Sequence, residues 1–114
     1  MAHPEFQLQK TLIEHLNLCG RGAFWFHPFN KAKSPREGHT AKLMGVVAGV
    51  PDLIFFQGGT AWCLELKITK KEGGKLSPAQ KATIKRIWDS GIDVEVAYGY
   101  NDALSILKRR GVLR

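Results

Sequence analysis

The chain has 114 residues, 44% of them hydrophobic and 24% charged, enough to build one domain core without a disulfide or metal staple. Lys and Arg outnumber Asp and Glu by 17 to 10, and the net charge of +7 favours a polyanionic partner, nucleic acid before a membrane surface. Cys19 and Cys63 form no CxxC pair or zinc-spaced cluster, and neither a signal peptide nor a bilayer-length apolar run is present. Disulfide-scaffold, zinc-finger and membrane-spanning classes are thereby set aside, and a reducing cytoplasm is the expected setting.

Pro4 opens a helix in which Leu8, Leu12 and Leu16 recur at helical spacing and which Gly20 ends. AFWFHPF (Ala23 to Phe29) predicts a short aromatic strand that, by Pro28, lies near an edge or ends early. From Asn30 to Gly45 the apolar pattern vanishes, and KAKSPREGHTAKLMG predicts a basic loop. Its Lys31, Lys33, Arg36, His39 and Lys42 are either phosphate contacts or parts of a plain solvated connection. Strands follow at about Pro51 to Phe56 and Ala61 to Ile68, joined through QGGT, where Gly-Gly tolerates the positive φ of a tight hairpin turn. KKEGGK is a second loop, and its Lys70 and Lys75 are further candidate phosphate contacts. Ser77 as N-cap and Pro78 at the first helical position start a helix that runs to about Ser90. IDVEVAYGY predicts a strand, and Asn101 a cap for a last helix, DALSILKRR, ended by Gly111. The order is α-β-β-β-α-β-α in a single α/β domain over residues 1–114.

The hairpin carries charges where apolar residues dominate. With Gly58-Gly59 as the turn, Phe56 faces Ala61, Ile54 faces Cys63, and Asp52 faces Glu65. Lys67, two residues beyond Glu65, projects to the same face. A three-residue loop with a bulge would shift this register by one. Two carboxylates so placed repel, and a bound cation relieves the conflict; all-oxygen ligands suit magnesium or manganese better than zinc. Lys67 beside them reaches a water or a phosphate oxygen, the set that metal-assisted phosphodiester hydrolysis requires. The plainer alternative is a surface salt bridge from Lys67 to one carboxylate. Against it, Leu53, Phe55, Trp62, Leu64 and Leu66 on one face and Ile54, Ala61 and Cys63 on the other predict a sheet covered on both sides, where unpaired charge is costly.

Two more residues are candidates. With Glu5 at zero and about 100° per residue, Leu12 and Leu16 lie within about 20° of it and Gln9 within about 40°, whereas Glu14 points the opposite way. Glu5 is therefore on the core-facing stripe, as a site carboxylate or as a favourable first-turn charge. Gln80, near the start of the helix after the Lys67 strand, is either a site residue or an ordinary helix residue. Core packing is the expected fate of Phe24, Trp25, Phe26 and Trp88, with a subunit interface as the alternative.

Together GVPDLIFF, CLELK and GKLSPAQ resemble the VRR-NUC domain, a branch of the PD-(D/E)XK nuclease superfamily, over about Glu5 to Gly99. The resemblance implies a restriction-endonuclease-like fold: an αβββαβ core with a mixed β-sheet flanked by helices. It implies DNA cleavage dependent on Mg2+ or Mn2+, with no other small-molecule cofactor and no membrane partner. Asp52 and Glu65 would hold the metal with the Leu66 carbonyl, Lys67 would position the attacking water, Glu5 would complete the metal shell, and Gln80 would lie at the site. Stand-alone members of this size resemble phage-type enzymes, which implies a homodimer acting on branched DNA such as four-way junctions, in a phage or bacterial host cytoplasm. Two other classes stay open: a non-catalytic or less selective, nicking DNA-binding module of the same fold, and a domain whose basic face binds a protein or a membrane surface.

Overall fold

A computed structural model describes residues 3–28 and 35–114. Helix α1 (Pro4–Cys19) starts where His3 Nδ1 accepts the Glu5 N–H, and its Leu12 and Leu16 are buried. Strands β1 (Phe24–Phe26), β2 (Leu53–Gln57), β3 (Thr60–Lys67) and β4 (Asp93–Tyr98) form one sheet in the order β1-β2-β3-β4. The first three are antiparallel neighbours, and β4 runs parallel to β3 after the crossover helix α3 (Pro78–Asp89). Helix α4 (Tyr100–Arg109) follows β4. The expected α/β architecture, a mixed sheet flanked by helices, is the one observed.

Period-2 alternation sorts the sheet into two faces. Leu53, Phe55, Trp62, Leu64 and Leu66 pack with Leu12 and Leu16 of α1 and Ala103, Ile106 and Leu107 of α4 in the main core. On the other face a smaller cluster joins Cys63, Val94 and Ile84 of α3. The Phe55 and Trp62 rings stack at 4.3 Å between centroids, and the Arg110 guanidinium lies 4.7 Å over Trp62. Arg110 also pairs with Glu95 and Asp93, tying the chain end to β4.

The hairpin has the predicted register: Ile54 pairs with Cys63, Phe56 with Ala61 and Gln57 with Thr60. Gly58 and Gly59 take φ of 60° and 79°, the left-handed values that a two-residue turn between twisted strands requires.

Several expectations need correction. Between β1 and β2 the structure has a helix, α2 (Pro35–Leu43), where the sequence predicts a loop. None of its described residues is buried, so no apolar stripe marks it; Pro35 at its start is the local signal. Lys31 and Lys33 lie outside the described residues. Strand β1 is shorter than the Ala23 to Phe29 stretch; it lies at the sheet edge and ends early, at Phe26, as Pro28 predicts, because His27 turns to the Asp52 carbonyl and Pro28 has no N–H to donate. Helix α4 begins at Tyr100, capped by Gly99 rather than Asn101, while Asp102 accepts the Tyr98 N–H. Phe24 and Phe26 are exposed, since α3 packs over β3 and β4 and leaves that face of β1 uncovered, and only Trp25 of the FWF strand packs against the core. Trp88, near the end of α3, is exposed as well, and its indole N–H donates to the Val94 carbonyl of β4 at 3.3 Å.

Candidate active site

At the end of the hairpin away from its turn, β2 begins one residue after Asp52, so the ladder with β3 stops there. The Asp52 side chain continues it: Oδ2 accepts the Leu66 N–H at 2.7 Å. On β3, Glu65 is 2% and Lys67 8% exposed, both on the face opposite the main core. Glu65 Oε2 accepts from Gln80 Nε2 at 2.8 Å, and Glu65 Oε1 is buried with no hydrogen-bond partner. Lys67 Nζ stands 3.7 Å from Glu5 Oε2 and 4.0 Å from Glu65 Oε2. Glu5 Oε2 also accepts the Ile68 N–H at 3.4 Å, which places the start of α1 against the end of β3. The Lys67 carbonyl takes the Gly99 N–H at 2.7 Å, so the backbone beneath the ammonium is pinned to β4.

The electrostatics follow from burial. Glu65 is pushed up to about 8, first by desolvation and then by the Asp52 charge, with Lys67 opposing. Desolvation also raises Asp52, against the lowering effects of the Leu66 N–H and the His27 ring. An unpartnered buried carboxylate oxygen beside a second carboxylate is costly in water-free surroundings and suits a hard divalent cation. Among the described residues no three His, Cys, Asp or Glu side chains group as a ready metal cage. A cation here would therefore be held chiefly by Asp52 and Glu65, with backbone carbonyl or water oxygens completing its shell.

The structure thus brings Asp52, Glu65, Lys67, Glu5 and Gln80 together, with Leu66 between the two charged positions of β3. Arg36 and Lys42 lie exposed on α2, and Lys75 is exposed before α3. No hydrogen bond or ion pair among the described residues ties these three to the carboxylates. Lys70 sits 4.8 Å over the ring of Tyr98, whose backbone pairs with Lys67. Sequence reasoning missed His27, whose Nδ1 lies 2.6 Å from the Asp52 carbonyl oxygen and 3.1 Å from Gln9 Nε2. Gln9 is four residues after Glu5, hence on the same helix face; that spacing was the available signal.

Comparison with known proteins agrees with this fold. The VRR-NUC domain family matches residues 5–101. A solved VRR_NUC domain protein is 27% identical, with a TM-score of 0.69, covering 96% of this chain and 88% of that one. A second solved structure, a VRR_NUC domain, superposes with a TM-score of 0.62 at 21% identity over 94% of this chain and 97% of that one. None of the curated proteins matches the chain. The match over residues 5–101 takes in every charged residue gathered at the hairpin end, and the chain belongs to the VRR-NUC domain family, whose domains are of nuclease type.

Proposed function

We propose that the protein is a Mg2+- or Mn2+-dependent endodeoxyribonuclease that cuts branched DNA such as four-way junctions. The observation that carries the hydrolytic reading is Glu65: buried, with one oxygen unpartnered, and set beside Asp52 and Lys67. Asp52 and Glu65 would hold the ion, helped by the Leu66 carbonyl, with Glu5 close enough to Lys67 to join the arrangement. When bound, the ion would offset phosphate charge and lower the pKa of a water. Lys67, fixed at its backbone and flanked by Glu5 and Glu65, orients the nucleophilic water towards the phosphorus and offsets charge on the phosphate. Gln80 holds one oxygen of Glu65, leaving the other free to act. The net charge of +7 supports a DNA substrate, with Lys31, Lys33, Arg36, Lys42, Lys70 and Lys75 as phosphate contacts. Preference for branched substrates rests on the resemblance to stand-alone members of the family, as does a homodimer, which symmetric cutting of two strands needs.

The experiment is a panel of four-way junction, flap and duplex DNA incubated with the protein and Mg2+ or Mn2+. Wild type is expected to cut the junction fastest, with Asp52→Asn and Lys67→Ala each slower by about 100-fold or more. Salt-sensitive binding without any cutting would leave a non-catalytic DNA-binding module in its place.

A further inference from the structure

Gln80 serves two neighbours with one amide. Its Oε1 accepts the Ser77 N–H at 2.8 Å, while Ser77 Oγ accepts the Gln80 N–H at 3.1 Å, a reciprocal capping box at the start of α3. With the oxygen committed there, the NH2 group faces away from the cap and donates to Glu65 Oε2. The first turn of α3 is therefore a wall of the site, and its placement over the sheet decides whether Glu65 has its donor.

Two contacts behind the site fix that placement. Gly49 has φ of +82° and lies directly against the peptide joining Ala79 to Gln80. A Cβ there would stand 2.5 Å from the Ala79 oxygen and 2.8 Å from the Gln80 nitrogen, backbone atoms that cannot rotate aside. Thr83 is buried, one turn further along α3, and its hydroxyl donates to the Ala48 carbonyl at 2.7 Å. The segment gripped in this way, Ala48-Gly49, runs through Val50 and Pro51 straight into Asp52. One short stretch of chain thus seats α3 and delivers the first carboxylate.

We propose that Gly49 and Thr83 are positioning residues of the site: they clamp the segment before Asp52 to the first turn of α3, so that Gln80 holds Glu65 in place across from Asp52. The purpose of the clamp rests on the nuclease reading; its geometry does not. A residue that only stabilised the fold would lower the melting temperature without loosening the Gln80 amide.

The test uses the full chain. In metal-free protein the Gln80 side-chain NH2 signal is followed by 1H–15N NMR, identified by its loss in Gln80→Ala. Thr83→Val keeps the shape of the side chain and removes the donor; Thr83→Ser restores the donor. In Thr83→Val and Gly49→Ala the NH2 protons are expected to move towards free-amide shifts and to exchange with solvent about tenfold faster. With Mg2+ or Mn2+ and a four-way junction, kcat should fall about tenfold with KM nearly unchanged, and Thr83→Ser should recover both readouts. Thr83→Val with an unaltered Gln80 signal overturns the proposal, whether or not the variant melts earlier. If Gly49→Ala does not fold, the Thr83 pair decides alone. If wild type cuts no DNA, the nuclease reading fails, while the amide signal still decides whether the clamp exists.

Discussion

Glu65 in the folded, metal-free protein holds its proton up to about 8, against 4.5 for a free glutamate. The native state then binds one more proton than the unfolded chain between these values, so stability falls as pH rises through that window. Asp52, also raised by burial, acts in the same direction. Metal-free wild type should therefore lose several degrees of melting temperature between pH 5 and pH 8 (roughly 4–8 °C per kcal/mol in a domain near this size). Glu65→Gln, which cannot ionise, should show a flatter profile and melt above wild type at the alkaline end. Adding Mg2+ or Mn2+ should raise the melting point of wild type and leave Glu65→Gln nearly unmoved, as measured by scanning calorimetry. A variant more stable than wild type and yet inactive is the expected mark of a carboxylate held against its own solvation.

The β2–β3 hairpin sets the distance between the two carboxylates through its turn. Both turn residues have positive φ, so Gly59→Val should cost about 1–3 kcal/mol in urea unfolding, while Gly58→Asn should be tolerated. Inserting one glycine between them should abolish cleavage, because a one-residue slip sends alternate side chains to the opposite face. This element was legible in the sequence because its information is local: a Gly-Gly pair and strict alternation define the register, and with it the neighbourhood of Asp52, Glu65 and Lys67. The start of α1 was legible too, since Glu5 shares a stripe with buried leucines. Helix α2 was not, because period reveals burial and α2 has no buried described residue to repeat. His27 escaped for another reason: it meets Asp52 across β1 and β2, a contact made by pairing of two strands 25 residues apart rather than by spacing along either. The first residue of α4 is likewise set by the Gly99 contact with Lys67, which no capping preference at Asn101 records.

Taken whole, the molecule has one sheet end lined with charged groups, and its opposite faces are closed by helices of unequal reach. Charge of +7 on a chain of 114 residues should make DNA binding steeply salt-dependent. For four phosphate contacts, affinity should drop about 100-fold over a fourfold rise in salt, measured by fluorescence anisotropy. The proposed homodimer predicts a light-scattering mass of twice 12.7 kDa at working concentrations, and a mass of one chain would reject it. Among the described residues no helix is long and apolar enough to cross a membrane. The uncovered Phe24, Phe26 and Phe56, with ring centroids 5.9 to 6.1 Å apart, give the sheet an apolar edge on the face that also bears Glu65.

The sandwich of Trp62 between Phe55 and Arg110 turns the core into its own optical reporter. Of the three indoles, Trp62 is sealed, Trp25 is half-buried and Trp88 lies 54% exposed on α3. Trp88, the most exposed of the three, should change its emission less on denaturation than Trp62. A Trp88→Phe background would leave a fluorescence signal dominated by the interior, in which a red shift records the loss of the β2–β3 stack and the release of Arg110 together. Because the same hairpin leads into Asp52 and carries Glu65, light emitted from one end of it reports on the integrity of the candidate site at the other.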